Sequence, residues 1–461
     1  MGQEKASLLS SPTVVGWLIL IGILAAVLSL PVYACASLAY TETKGPFKNW
    51  TQVVDLEGDG DLDVIVSHTR WEGEDLSWAG VGMWVNQGNG TFELLRDRGT
   101  GTWLFTGFAA GAGDVDQDGD LDVFTQDFGI HLLVNQGGVQ GGVTGEFISL
   151  GGINSPPAYN KGYRDMGGTI TMGDLNEDGR IDAFIAGCCY GMNAWEPGYD
   201  STNAPSVSWV WINDGMQEYL QTGHIIPMDL LDGRPIREVA LGDMDGDGDL
   251  DIYAAVGKPT MGTVDSVDDL ILLNDGTGRL AAYDQPLGDT DSTSVALGDV
   301  NGDGRLDALV GTSAGARLWI NQSNGLGSGG PIFVPAKQSF NAAQTVSDKL
   351  QAGFSATADK LLRLYLPYGS IRTKAVFLAD LDGDGDMDAL LARLWGAEIW
   401  WNDGKGEFRR LGMGFEYRED TGVVVADFDG DGDQDIFIGR NEDDYQVWWN
   451  DGKGVFIAGN R

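Results

Sequence analysis

The chain has 461 residues, 69 of them glycine, a hydrophobic content of 43% and a formal net charge of −39 from 68 acidic and 29 basic side chains. Its length allows a large core, and its hydrophobic content excludes a disordered acidic chain. The charge excludes a nucleic-acid binder, because no basic patch is available to neutralise phosphates.

In chain order, the first element is an apolar run, Val14 to Leu30, with no charged residue again until Glu42. A run of that length is a signal peptide or a membrane anchor. Residues 1–40 are therefore read as an export segment and the remainder as extracytoplasmic, either secreted or held to the membrane by residues 14–39. Pro31 followed by Ala34-Cys35-Ala36 has the composition of a cleavage region. With Cys188 and Cys189 the chain has three cysteines, too few for a disulfide framework or a tetrahedral zinc site, which leaves buried or free thiols, a vicinal bridge or an intermolecular disulfide.

From Asp55 onward one nine-residue pattern, D-x-[DNE]-x-D-G-x-x-D, occurs seven times, with starts 47 to 81 residues apart. Position 1 is Asp55, Asp114, Asp174, Asp243, Asp299, Asp380 and Asp427. Position 3 is Glu57, Asp116, Asn176, Asp245, Asn301, Asp382 and Asp429, and position 5 is Asp59, Asp118, Asp178, Asp247, Asp303, Asp384 and Asp431. Position 9 is Asp63, Asp122, Asp182, Asp251, Asp307, Asp388 and Asp435. Position 7 is Asp61, Asp120, Arg180, Asp249, Arg305, Asp386 and Asp433, a tolerance expected where only the backbone carbonyl is used.

This spacing brings several oxygens to one point, which suits Ca²⁺, a hard cation that takes six to eight oxygen ligands. Position 6 is glycine in all seven copies, as a sharp reversal requires. An EF-hand is excluded, because position 12 is never a chelating Glu. Residues 10–12 of each copy are instead apolar and begin a buried strand. The loops hold 32 of the 68 acidic residues, so about seven Ca²⁺ are expected, with affinities of roughly 10⁻⁴–10⁻³ M.

A second signature follows most loops: WVNQG from Trp84, WINDG from Trp211, LLNDG from Leu272, WINQS from Trp319, WNDGKGEF from Trp401 and WNDGKGVF from Trp449. An apolar strand entering Asn-Asp-Gly or Asn-Gln-Gly marks a hairpin. Each unit is therefore strand A, acidic loop, strand B, connection, strand C, tight turn, strand D. Seven such units predict an all-β, seven-bladed β-propeller over residues 47–461.

With these two motifs the chain resembles the FG-GAP/VCBS repeat family, whose best-known member propeller is that of integrin α subunits. The resemblance implies calcium at positions 1, 3, 5 and 9 of each loop. It also implies a binding or adhesion module, with a structural subunit of a membrane-associated assembly or a polysaccharide lyase as alternatives.

The length variation lies in connections opposite the acidic loops: residues 69–80, 187–207, 257–268 and an insertion at 323–373. Within the last, apolar residues three or four apart over residues 337–366, beginning at Phe340, predict an amphipathic helix. A protein or glycan partner is expected on this second face, with Trp71, Trp78, Trp195 and Tyr199 as candidate contacts. The recurrent Trp residues, including Trp400, Trp401, Trp448 and Trp449, are expected to pack between blades. No catalytic motif is present, so an enzyme is not expected.

Overall fold

The computed structural model describes residues 51–459, except 73–74, 96–108, 127–129, 138–145, 153–168, 187–207, 216–222, 226–234, 258–267, 289–290, 324–329, 339, 341–371, 394–395, 416–421 and 442–443. It contains seven four-stranded antiparallel sheets, each formed by four consecutive strands. Blade 1 is β1 (Thr51–Val54), β2 (Asp63–Glu72), β3 (Asp75–Asn86) and β4 (Phe92–Leu95). Blade 2 is β5 (Ala109–Gly113) to β8 (Phe147–Gly152), and blade 3 is β9 (Ile170–Gly173) to β12 (Gly223–Ile225). Blade 4 runs from β13 (Ile236–Gly242) to β16 (Ala281–Tyr283), and blade 5 from β17 (Ser292–Gly298) to β20 (Phe333–Pro335). Blade 6 runs from β21 (Thr373–Ala379) to β24 (Arg409–Phe415), and blade 7 from β25 (Gly422–Ala426) to β28 (Ile457–Ala458). The fold is the expected all-β seven-bladed propeller, and no helix occurs among the described residues. None of them forms a span long and apolar enough to cross a membrane as a helix, and residues 14–39 lie outside the described part.

Each strand B is apolar on both faces because it lies between two blades. On β2, Val64 and Val66 join the core shared with blade 7, while Ile65 joins the core shared with blade 2. On β26 (Asp435–Asn441), Ile436 and Ile438 face blade 6 and Phe437 faces blade 1. This alternation yields seven hydrophobic clusters, one at each junction of the ring. The Trp residues behave as expected: Trp84, Trp211, Trp319, Trp400 and Trp449 are buried in these clusters. They lie on the third strand of their blades, not on the outermost one.

In four blades the residue before position 1 is glycine (Gly113, Gly173, Gly242 and Gly298), and there the next blade approaches closely. A Cβ on Gly242 would sit 2.6 Å from Leu306 Cδ1 of blade 5, closer than carbon atoms pack.

Two expectations about connections change. Residues 69–72 and 75–80 belong to β2 and β3, which pair Arg70 with Trp78 and Trp71 with Leu76 around a β-bulge. Cross-strand pairing extends through these strand residues, which places them in the sheet. The first residues of the predicted helix, Lys337, Gln338 and Phe340, are not helical. Phe340 is fully buried against Trp400 and Phe408 of blade 6, at ring-centroid distances of 5.0 and 5.3 Å. Gln338 accepts from Phe408 N at 2.7 Å and donates back to Phe408 O. At these first residues, burial of the aromatic ring outweighs helical preference. Residues 341–366 lie outside the described part, as do residues 187–207 and all three cysteines.

Candidate metal centres

The acidic loops join strands A and B of every blade, and each is organised by its own carboxylates. Position 6 has a positive φ of 81° to 107° in all seven copies, a conformation in which glycine carries no steric penalty. The reversal points the position-6 amide back at position 1, whose Oδ2 accepts it at 2.7–3.2 Å. Position 5 accepts the amide of position 7 through Oδ1 at 2.9–3.2 Å.

Position 9 is almost wholly buried in every blade. One of its oxygens accepts the position-2 amide (Leu56 in blade 1, Leu381 in blade 6) at 2.7–3.1 Å. The other accepts the amide of the Asn that ends strand C, at 2.7–3.0 Å. A single carboxylate thus ties the acidic loop to the C–D turn.

The role of that Asn is not visible in its turn signature. Asn86, Asn135, Asn213, Asn274, Asn321, Asn402 and Asn450 are all buried. In each, Nδ2 donates to the position-2 carbonyl of the preceding blade, at 2.7–3.3 Å. Asn86 reaches Phe428 of blade 7 and thereby completes the circuit. Asn135 extends the motif to blade 2, where Val134-Asn135-Gln136-Gly137 repeats the string Val85-Asn86-Gln87-Gly88 of blade 1. Identity of those two strings was the available signal.

Burial pushes the position-9 carboxyls up, opposed by the two amide donors. They reach about 6 in Asp63, Asp182, Asp251 and Asp307 and about 7 in Asp122, Asp388 and Asp435. Glu57 is raised to about 8, first by burial and then by the neighbouring Asp63. Crowded carboxyls raised in this way favour a cation at their centre.

The donor set fits a hard divalent ion. Positions 1, 3 and 9 converge in four blades, with ligand oxygens within 4.8 Å: Asp114/Asp116/Asp122, Asp243/Asp245/Asp251, Asp380/Asp382/Asp388 and Asp427/Asp429/Asp435. Asp382 Oδ1 and Asp118 Oδ2 are buried without a hydrogen-bond partner, a state that an ion would relieve. Position 5 does not join these four groups. In blades 3 and 5 position 3 is Asn, and in blade 1 it is the longer Glu57. At position 7, expected to serve only through its carbonyl, Arg180 and Arg305 instead engage position 5 with their side chains.

An FG-GAP-like repeat model matches residues 55–125, 174–254 and 380–438, and an FG-GAP repeat model matches residues 292–334. The chain belongs to the FG-GAP repeat family. No curated protein matches this FG-GAP propeller. Among solved structures it is similar to an Agrocybe aegerita lectin that recognises non-reducing terminal N-acetylglucosamine, at 18% identity. That alignment covers 90% of this chain and 80% of the lectin, with a TM-score of 0.36. A second similar structure is the Photorhabdus luminescens Tc holotoxin pore, at 15% identity, 86% of this chain and a TM-score of 0.33. The propeller spans 17% of that toxin chain.

Proposed function

We propose that this chain is an exported, calcium-braced propeller that binds a protein or glycan partner on the face opposite its acidic loops. The observation that carries the reading is the sevenfold repetition of a carboxylate loop whose position-9 acid is buried and clamped to the C–D turn. When bound, Ca²⁺ would neutralise the crowded carboxylates, held by positions 1, 3, 5 and 9 and the position-7 carbonyl. The chain's own residues set the shape: position 9 holds the turn, and Asn passes that order to the next blade.

The second face is supported by the hairpin of blade 1. Its strands have 10 and 12 residues, against seven or fewer in every other strand among the described residues. The acidic loop lies at one end of this hairpin, so the surplus residues, with Trp71 and Trp78, stand at the other. Ordered residues beyond what the sheet needs cost roughly 1–2 kcal/mol each in conformational entropy, which favours a use for them.

Metal analysis of the whole chain equilibrated with excess Ca²⁺ should find up to seven bound ions, and two or fewer would remove the reading. The pH dependence gives a second test. In chelator, the position-9 carboxyls bind protons more tightly folded than unfolded, so the metal-free fold should lose stability as pH rises from about 5 to 8. With Ca²⁺ present the trend should reverse, because protons then compete with the ion. Equal melting curves in chelator at pH 5 and 8 would contradict the raised carboxyls. A glycan and protein-ligand array probed with the wild type and with Trp71→Ala/Trp78→Ala tests the binding face. Unchanged capture by the variant would place the contact elsewhere.

A further inference from the structure

The seven loops differ in how they satisfy position 5. In blade 2 Asp118 Oδ2 is buried with no hydrogen-bond partner. In blades 3 and 5 the equivalent oxygens, on Asp178 and Asp303, are capped by the guanidinium groups of Arg180 and Arg305 from position 7 of the same loops. Each guanidinium is fixed by a second bond, Arg180 Nε to Asn213 O at 2.7 Å and Arg305 Nε to Asn321 O at 3.0 Å. Asn213 and Asn321 are the buried residues that bridge to the preceding blade, so the arginine is tied into the frame of its blade.

The same two loops carry Asn at position 3. Asn176 Nδ2 donates to Asp178 Oδ2 at 3.0 Å, and Asn176 Oδ1 accepts the Asp178 amide at 3.1 Å. Asn301 Oδ1 accepts the Asp303 amide at 3.0 Å. Both changes act in one direction: a negative ligand becomes neutral, and a carboxylate that could hold an ion is occupied by a cation of the chain.

We propose that the loops form two classes: those of blades 1, 2, 4, 6 and 7 depend on a divalent cation, whereas those of blades 3 and 5 carry their own counter-ion in Arg180 and Arg305 and hold Ca²⁺ weakly. The proposal rests on the calcium reading above. Affinity at oxygen sites follows the charge and freedom of the ligands, and both are reduced here. A surface ion pair adds little stability in general, but a guanidinium held by two fixed acceptors loses less freedom per bond. Blades 3 and 5 then keep their loop shape at calcium levels that empty the others.

The test starts from the calcium-loaded whole chain and titrates it with a chelator, counting the ions that remain bound. Two ions should leave first, at a free calcium about tenfold higher than the other five. Arg180→Gln/Arg305→Gln should narrow the gap, and Asn176→Asp/Arg180→Asp should leave only one early ion. Asp386→Arg in blade 6 should create a third early ion. Release of all seven ions together, or release curves unmoved by the arginine substitutions, would overturn the two classes while leaving calcium binding intact. A loaded chain that holds no calcium would overturn the calcium reading itself, a result distinct from equal sites.

Discussion

The junction between blades 7 and 1 and the junction between blades 4 and 5 use the same fold but different packing. At the second, Gly242 lets Leu306 of the next blade approach the inner strand, and Gln285 accepts from Phe333 N at 3.1 Å. At the first, the residue in the place of Gly242 is Ala426, and the junction carries a larger cluster of rings than the Tyr253–Phe333 pair of the second. Phe92 lies 5.6, 5.0 and 5.5 Å from Phe428, Phe437 and Tyr445, and Phe437 stacks on Tyr445 at 5.4 Å. The amide of Phe92 donates to Tyr445 Oη at 2.9 Å, the bond that Gln285 makes for Phe333.

The difference follows from chain connectivity. The Asn bridge between blades 4 and 5 spans 77 residues of sequence, and the one that closes the ring spans 342. Closing the longer loop costs roughly 1–1.5 kcal/mol more. Aromatic pairs contribute about 0.5–1.5 kcal/mol each beyond area burial, so the ring cluster offsets that difference. No strand is exchanged between the first and last blades: each sheet is formed by four consecutive strands. Among the described residues, side chains link the first blade to the last: Thr51 Oγ1 donates to Val423 O, Asn86 Nδ2 donates to Phe428 O, and the ring cluster packs between them.

The largest expected effect is at the closure. Phe437→Ala should lower stability in urea by about 3–5 kcal/mol and speed amide exchange in β1 and β25. A loss below about 1 kcal/mol would mean that the ring cluster does not hold the ends together.

Gly242→Ala should cost about 1–3 kcal/mol through overpacking against Leu306. The reverse change at the closure, Ala426→Gly, should cost no more than about 1 kcal/mol. Equal losses would erase the contrast between the two junctions.

The hydrogen-bond circuit should be indifferent to the junction it crosses. Asn402→Ala leaves the buried Val300 carbonyl unmet and Asn86→Ala leaves that of Phe428, at about 1–3 kcal/mol each. A much larger loss for Asn86→Ala would transfer the closure from the rings to the circuit. The smallest effect is expected from Tyr445→Phe, which removes only the acceptor of the Phe92 amide, about 0.5–1.5 kcal/mol in thermal or urea denaturation.

The sequence by itself determined the number of blades, the strand order within them and the position of every acidic loop. Those features depend on local spacing: a nine-residue turn must place its glycine and carboxylates at fixed offsets wherever it occurs. Tertiary structure alone decided what each residue meets across a junction. Asn402 in its turn string reads only as a hairpin residue, yet its amide crosses to blade 5, because the turn is buried against the neighbouring loop. Phe340 reads as the start of a helical stripe but packs on Trp400 and Phe408 of blade 6, where burial of its ring exceeds the helical preference of one residue. Arg180 and Arg305 read as tolerated substitutions at a carbonyl position, and only the folded turn brings their guanidiniums back over position 5. Each of these partners is selected by the closing of the ring or by the folding back of a loop, and no spacing along the chain encodes it.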